Sequence, residues 1–183
     1  MNFELVIKAL LKGFERERIR YAVIGGFAVG ALGVPRATMD LDVLVHREDL
    51  PLLDSVMKEL GYRCSGRTEN VSLFIHENPA WGRIDCLHAF RTYTIAMLAR
   101  AQVQPVLGGT HQLRVLQVED LIGLKVQGLA NNPLRRAKEQ LDIEALMSLH
   151  RASLDWNRIQ EYYDLFELGE EARRLRVQFG YAQ

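Results

Sequence analysis

The stretch YAVIGGFAVGALGVPRATMDLD, residues 21 to 42, decides the fold of this 183-residue chain. It begins with a short apolar run, passes through Gly25-Gly26 and ends in polar residues at every second position. Alternation along a strand over residues 37 to 45 predicts one polar face and one apolar face. The polar side chains are Arg36, Thr38, Asp40 and Asp42, and the apolar ones are Ala37, Met39, Leu41, Val43 and Val45.

Two carboxylates on one strand face repel each other unless a cation lies between them. Mg²⁺ is a common solution, because it binds a few carboxylates together with phosphate oxygens of a substrate. The paired glycines at the preceding strand-to-helix turn suggest a phosphate site beside that metal site. The alternative is a strand end whose two aspartates simply face solvent, and spacing alone leaves both interpretations open.

Bulk composition limits the class of protein. The chain is 48% hydrophobic and carries 23 basic and 23 acidic residues, so no global field attracts nucleic acid. Two cysteines without metal-site spacing favour a reducing cytoplasm. No stretch approaches the roughly 20 apolar residues of a membrane span, so a cytoplasmic protein without a membrane partner is expected.

Helices and strands alternate up to residue 116, and the pattern is helical from Glu119 onward. This change predicts an α+β chain with two domains, residues 1 to 116 and residues 117 to 183. Asp85 falls on a later strand, where it is either a salt-bridge partner of Arg83 or Arg36, or a third metal ligand or base. Lys125 lies among apolar residues of a helix, where it either snorkels to solvent or contacts phosphate.

Gly25-Gly26, the pair Asp40 and Asp42, and the later Asp85 together resemble the nucleotidyltransferase superfamily of the DNA polymerase β type. The longer stretch IGGFAVGALGVPRATMDLDVLV resembles the AbiEii-like nucleotidyltransferase toxins of bacterial type IV toxin–antitoxin systems and related uncharacterised bacterial proteins. The later stretch VEDLIGLKVQGLANNPLRRAKEQLDIEAL is similar to the same group, with its lysine and aspartate motifs at Lys125 and Asp142. Two departures are Gly-Gly where many members have Gly-Ser, and Lys138-Glu139 where the group has a basic residue and then Asp.

The resemblance implies a nucleotidyltransferase fold, a small mixed sheet flanked by helices and followed by a C-terminal helical region. It implies transfer of a nucleoside monophosphate from an NTP to an acceptor, with two Mg²⁺ ions held by Asp40, Asp42 and Asp85. The implied nucleotide-binding residues are Gly25, Gly26, Arg36, Thr38, Lys125 and Asp142, with Lys125 also counted as catalytic.

A toxin-like enzyme that modifies tRNA or protein, paired with a cognate antitoxin, is the first hypothesis for function. A small-molecule enzyme of the antibiotic-modifying kind is a second hypothesis, because it shares the fold and the three acids. A non-catalytic, antitoxin-like binding partner with the same fold is a third, which three intact acids disfavour.

Overall fold

The computed structural model describes residues 1 to 180, and the chain divides into two compact units. The first unit comprises Met1–Ala31 and Arg36–Leu116, and the second comprises Leu32–Pro35 with the chain from Gln117 onward. The four-residue segment belongs to the second unit, where the Nε2 atom of His150 lies 2.9 Å from the carbonyl oxygen of Leu32.

The first unit contains four helices and seven strands among the described residues. In chain order they are α1 (Phe3–Arg16), β1 (Tyr21–Ile24), α2 (Gly25–Ala31), β2 (Leu41–His46), α3 (Leu50–Glu59), β3 (Arg63–Arg67), β4 (Val71–Ile75), β5 (Arg83–Ala89), α4 (Thr92–Arg100), β6 (Gln102–Val106) and β7 (His111–Val115).

The seven strands form one mixed sheet in the order β3-β4-β5-β2-β1-β7-β6. Strands β2 and β5 are parallel, as are β1 and β7, and the other neighbouring pairs are antiparallel. The prediction of an α+β fold with a small mixed sheet is therefore confirmed. Strand β1 is a continuous buried run, as expected for a central strand, and β2 is buried at Leu41 and from Val43 to Val45.

The acidic strand is shorter than its alternation predicts. β2 begins at Leu41, and residues 37 to 40 form an irregular segment that ends in a bend. Met39, predicted for the apolar face, is 84% exposed. The hydroxyl of Thr38 donates to both the backbone and the side-chain oxygen of Asp40, a local bond that competes with strand pairing.

The second unit is helical, as predicted from residue 119 onward. Its helices are α5 (Val118–Asn131), α6 (Arg136–His150), α7 (Trp156–Asp164) and α8 (Gly169–Phe179). Asp155 caps α7, because its side chain accepts hydrogen bonds from the backbone N–H groups of Asn157 and Arg158. No helix within residues 1 to 180 is long and apolar enough to cross a membrane.

Candidate active site

Two carboxylates occupy paired positions on neighbouring strands. Asp42 on β2 is the register partner of Asp85 on the parallel strand β5. Their sequence neighbours Leu41, Val43 and Ile84 are buried, whereas both aspartates are partly exposed. Side chains at paired positions share one face of a sheet, so the fold places these two acids side by side.

The third acid, Asp40, reaches the same place from the bend before β2. The Nη2 atom of Arg83 lies 2.9 Å from Asp40 Oδ2 and 3.0 Å from Asp85 Oδ2. The salt bridge between Asp85 and Arg83 that the sequence allowed is therefore present. Thr38 also donates a 3.1 Å hydrogen bond to Asp40 Oδ1, which fixes the orientation of that carboxylate.

Gly25 has a conformation and a location that exclude a side chain. Its φ is +67°, in the left-handed region that favours glycine. A Cβ atom at this position would overlap the carboxylate of Asp42, whose register partner on β1 is Ile24. The missing side chain at Gly25 is thus a condition for the observed position of Asp42. A Cβ on Gly26 would lie 3.1 Å from Thr38, which is tight but not excluded.

Arg36 and Thr38 lie in the irregular segment that leads to Asp40. They line a surface groove of about 680 Å³ together with Phe27 and the turn between β6 and β7. The Nη1 atom of Arg36 donates to the carbonyl oxygen of Ala37. None of the three aspartates lines this groove, but Thr38, which does, donates a hydrogen bond to Asp40.

Lys125 and Asp142 meet inside the helical unit. The Nζ atom of Lys125 donates to Asp142 Oδ2 at 2.6 Å and to Glu139 Oε2 at 2.9 Å. Lys125 is 6% exposed, so it does not snorkel to solvent, and that alternative from the sequence is wrong. Arg135 pairs with the other oxygen of Glu139 at 2.6 Å, so a second basic side chain joins this network.

Sequence reasoning missed two contributors to these clusters. The sequence suggests Arg83 as a partner of Asp85, but its bridge to Asp40 depends on pairing between strands more than 40 residues apart. Glu139 stands out in the sequence only as a departure from the group pattern, although it lies three residues before Asp142. This i, i+3 spacing places both carboxylates on one face of a helix and is the sequence feature that could have revealed it.

The three aspartates do not form a preformed metal site. Within residues 1 to 180, no three His, Cys, Asp or Glu side chains are arranged to hold a metal ion. In the arrangement seen here the guanidinium of Arg83 supplies positive charge to two of the three acids. The chemistry of the donor set nevertheless fits a hard divalent cation, because three carboxylates lie at one edge of two adjacent strands.

Cys86 lies on the opposite face of β5 from Asp85 and is fully buried. Burial raises the pKa of its thiol well above the usual range, and the charges of Asp85 and Asp42 raise it further. The thiol is therefore protonated at neutral pH, and it is not a nucleophile or a metal-binding thiolate.

The mixed seven-stranded sheet flanked by helices is a nucleotidyltransferase-like fold. Residues 3 to 175 match the model of a family described as "Uncharacterised nucleotidyltransferase", and the chain belongs to that family. The family, together with the fold, identifies the chain as a transferase of this class. A comparison with curated proteins found no match.

Solved structures similar to this chain include those of an antibiotic-resistance factor and of an antibiotic adenylyltransferase. The solution structure of the antibiotic-resistance factor ANT(2'')-Ia has a TM-score of 0.65 at 19% identity, covering 97% of this chain and 99% of that one. Its complex with adenylyl-2''-tobramycin gives 0.63 at 18%, covering 96% and 95%. The lincosamide adenylyltransferase LnuA bound to lincomycin gives 0.53 at 15%, covering 80% and 97%. At these identities the likeness shows the fold.

Proposed function

We propose that this protein is a metal-dependent nucleotidyltransferase that moves a nucleoside monophosphate from an NTP to an acceptor hydroxyl and releases pyrophosphate. The observation that carries the proposal is the pairing of Asp42 with Asp85 on adjacent parallel strands, with Asp40 at their end. Family membership supports the transferase class, and the three acids support the dependence on a divalent metal.

In this proposal Asp40, Asp42 and Asp85 hold Mg²⁺, with two ions expected. The ions would supply charge neutralisation for an in-line displacement at phosphorus. Asp85 accepts the proton of the acceptor hydroxyl at a carboxylate oxygen.

The nucleotide site includes the glycine turn and the segment before β2. Gly25 and Gly26 are proposed to let a triphosphate approach the backbone amides of this turn, because neither residue carries a side chain that would block it. Arg36 and Thr38 are proposed to contact phosphate oxygens from the groove that they line. Each of these groups lies within the first unit, close to the carboxylates it serves.

Lys125 and Asp142 are proposed to act as a pair. Asp142 and Glu139 hold the ammonium group of Lys125, which supports an orienting role for Asp142. A direct phosphate contact requires Lys125 to exchange a buried carboxylate for a phosphate oxygen. NTP affinity in a Lys125→Met variant tests this contact, and unchanged affinity would remove Lys125 from the nucleotide site.

The charge of the helical unit favours one class of acceptor. Residues 117 to 183 contain eleven acidic and nine basic residues, a net charge of −2. Arg135, Arg136 and Arg173 each pair with a glutamate, which neutralises part of the positive charge that a tRNA would need. If this unit supplies the acceptor surface, a small neutral or cationic hydroxyl compound fits better than a polyanion.

A toxin-like enzyme with a tRNA or protein acceptor and a cognate antitoxin is the other candidate. It is supported by the sequence resemblance of residues 21 to 42 to the AbiEii-like group. A gene for a small DNA-binding antitoxin immediately upstream would favour this candidate, and its absence would favour the small-molecule acceptor.

The deciding experiment offers each labelled NTP with Mg²⁺ to three separate acceptor pools: tRNA, protein, and hydroxylated small molecules including aminoglycosides and lincosamides. Wild type is compared with Asp42→Asn and with Glu77→Gln, an exposed charge-neutralising control in the same unit. We expect transfer by wild type and Glu77→Gln, and none by Asp42→Asn. Transfer by Asp42→Asn at the wild-type rate would refute the proposed active site. No transfer to any pool would favour a non-catalytic binding partner.

A further inference from the structure

Arg83 completes a four-membered cluster at the end of strands β2 and β5. The register pairs Leu41 with Ile84, so the residues one step earlier, Asp40 and Arg83, lie level with each other. Asp42 and Asp85 form the next same-face pair. Three corners of this rectangle are carboxylates, and the fourth is a guanidinium whose Nη2 atom contacts both Asp40 and Asp85.

The exposed position of Arg83 allows its guanidinium to move away from Asp40 and Asp85. Its side chain is 51% exposed, whereas that of Asp85 is 15% exposed. A long exposed side chain can swing into solvent without opening the core, but the strand-borne carboxylates cannot follow it. Two exposed or partly exposed ion pairs are also weak enough to exchange for a divalent cation.

We propose that Arg83 is a resident counter-ion that competes with a divalent cation for Asp40 and Asp85. This inference rests on the proposed metal-dependent function. Cation binding displaces the guanidinium, which is then available to pair with a phosphate group, a partner that suits its planar fork of donors. The displaced arginine therefore couples the binding of the two ligands. Nucleotide strengthens cation binding because it gives Arg83 a new partner, and the cation strengthens nucleotide binding by the same factor.

The test measures Mn²⁺ binding without nucleotide, by electron paramagnetic resonance of free Mn²⁺, on the full-length protein. Arg83→Gln is expected to bind Mn²⁺ roughly three- to tenfold more tightly than wild type, since two competing ion pairs are removed. The matched control is Arg63→Gln, an exposed arginine on β3 whose position is aligned with Arg83 through Ile75 of β4. Arg63 lies two strand spacings, about 10 Å, from Arg83. Removing the charge of Arg63 should therefore change the Mn²⁺ affinity by less than about twofold in 0.1 M salt.

A second variant and a second ligand separate the outcomes. Arg83→Lys keeps the positive charge and should bind Mn²⁺ nearly as weakly as wild type. That result would show that tighter Mn²⁺ binding by Arg83→Gln is caused by the loss of charge. A non-hydrolysable NTP analogue should tighten Mn²⁺ binding more in wild type than in Arg83→Gln. Equal or weaker Mn²⁺ affinity in folded Arg83→Gln would overturn the counter-ion role alone. No Mn²⁺ binding by any of the proteins, with or without the analogue, would instead overturn the proposed metal site.

Discussion

Replacing Gly25 with alanine tests how the glycine turn positions the acidic cluster. Gly25 has a φ of +67°, and an L-residue in this left-handed conformation costs about 1–2 kcal/mol. The added methyl group would also overlap the carboxylate of Asp42, which must then leave its observed position beside Asp85. We therefore expect Gly25→Ala to lose at least about 1–2 kcal/mol of unfolding free energy, together with most of its transferase activity.

Gly30 provides a matched control in the same helix. It is exposed, lacks a positive φ, and a Cβ atom added to it would have no neighbouring atom within 4 Å. Alanine in an exposed helix interior is more favourable than glycine by roughly 0.5–1 kcal/mol, so Gly30→Ala should be stabilised.

Urea denaturation followed by circular dichroism measures both variants. With a slope of about 2 kcal/mol per molar urea, the expected midpoint shift for Gly25→Ala is a decrease of about 0.5–1 M or more. Gly30→Ala should shift in the opposite direction. Equal midpoints for Gly25→Ala and wild type would refute the reasoning, because neither the backbone conformation nor the overlap with Asp42 would then constrain the site.

Two further predictions concern buried polar networks away from the three acids. His88 is buried, hydrogen-bonded to Ser72 and to the carbonyl of Glu69, and burial lowers its pKa below the usual 6.5. The contribution of neutral His88 to stability is therefore complete above about pH 6.5 and is lost as the pH falls through the lowered pKa. The variant His88→Gln should therefore show a smaller decline of unfolding free energy between about pH 7 and 5 than wild type. If the unfolding free energy of His88→Gln declines with pH as steeply as that of wild type, the decline is caused by other groups. Lys125→Met leaves Asp142 and its neighbouring glutamate buried without their lysine and should cost about 3–5 kcal/mol in chemical denaturation, whereas a loss below about 1 kcal/mol would show that the network adds little.

The three acids could be singled out from the sequence because the signal of each is local. Asp40 and Asp42 follow a glycine turn within one short stretch, and alternation alone places Asp85 on the face of its strand opposite Cys86. The alternation of helices and strands and the later switch to helices likewise follow from the period of apolar residues, whereas the mixed sheet was predicted from the family resemblance. The local sequence pattern was sufficient to predict a helix or strand wherever burial of its apolar face is what mainly determines its structure.

Local pattern failed where side-chain bonding or long-range pairing decides the outcome. Met39 fits the alternation of a strand, but Thr38 bonds to Asp40 and holds that segment out of the sheet. The bridge from Arg83 to Asp40 exists only because β2 pairs with β5, and no sequence pattern specifies which two strands become neighbours. The burial of Lys125 depends on Glu139 and Asp142 on a different helix, which amphipathic spacing does not reveal.

The order of strands has a consequence for how the site forms during synthesis. Strand β1, near the start of the chain, pairs with β7 through Val23 and Val115. The sheet is therefore incomplete until β7 has been synthesised. The pair Asp42 and Asp85 needs only the chain up to β5, and translation at about 5–20 residues per second leaves an interval before β7 emerges. The three carboxylates can therefore be brought together on a partial sheet whose β1 edge is still open. Arg83 is on the same strand as Asp85, so the positive charge that pairs with Asp40 and Asp85 is available as soon as β2 and β5 have paired.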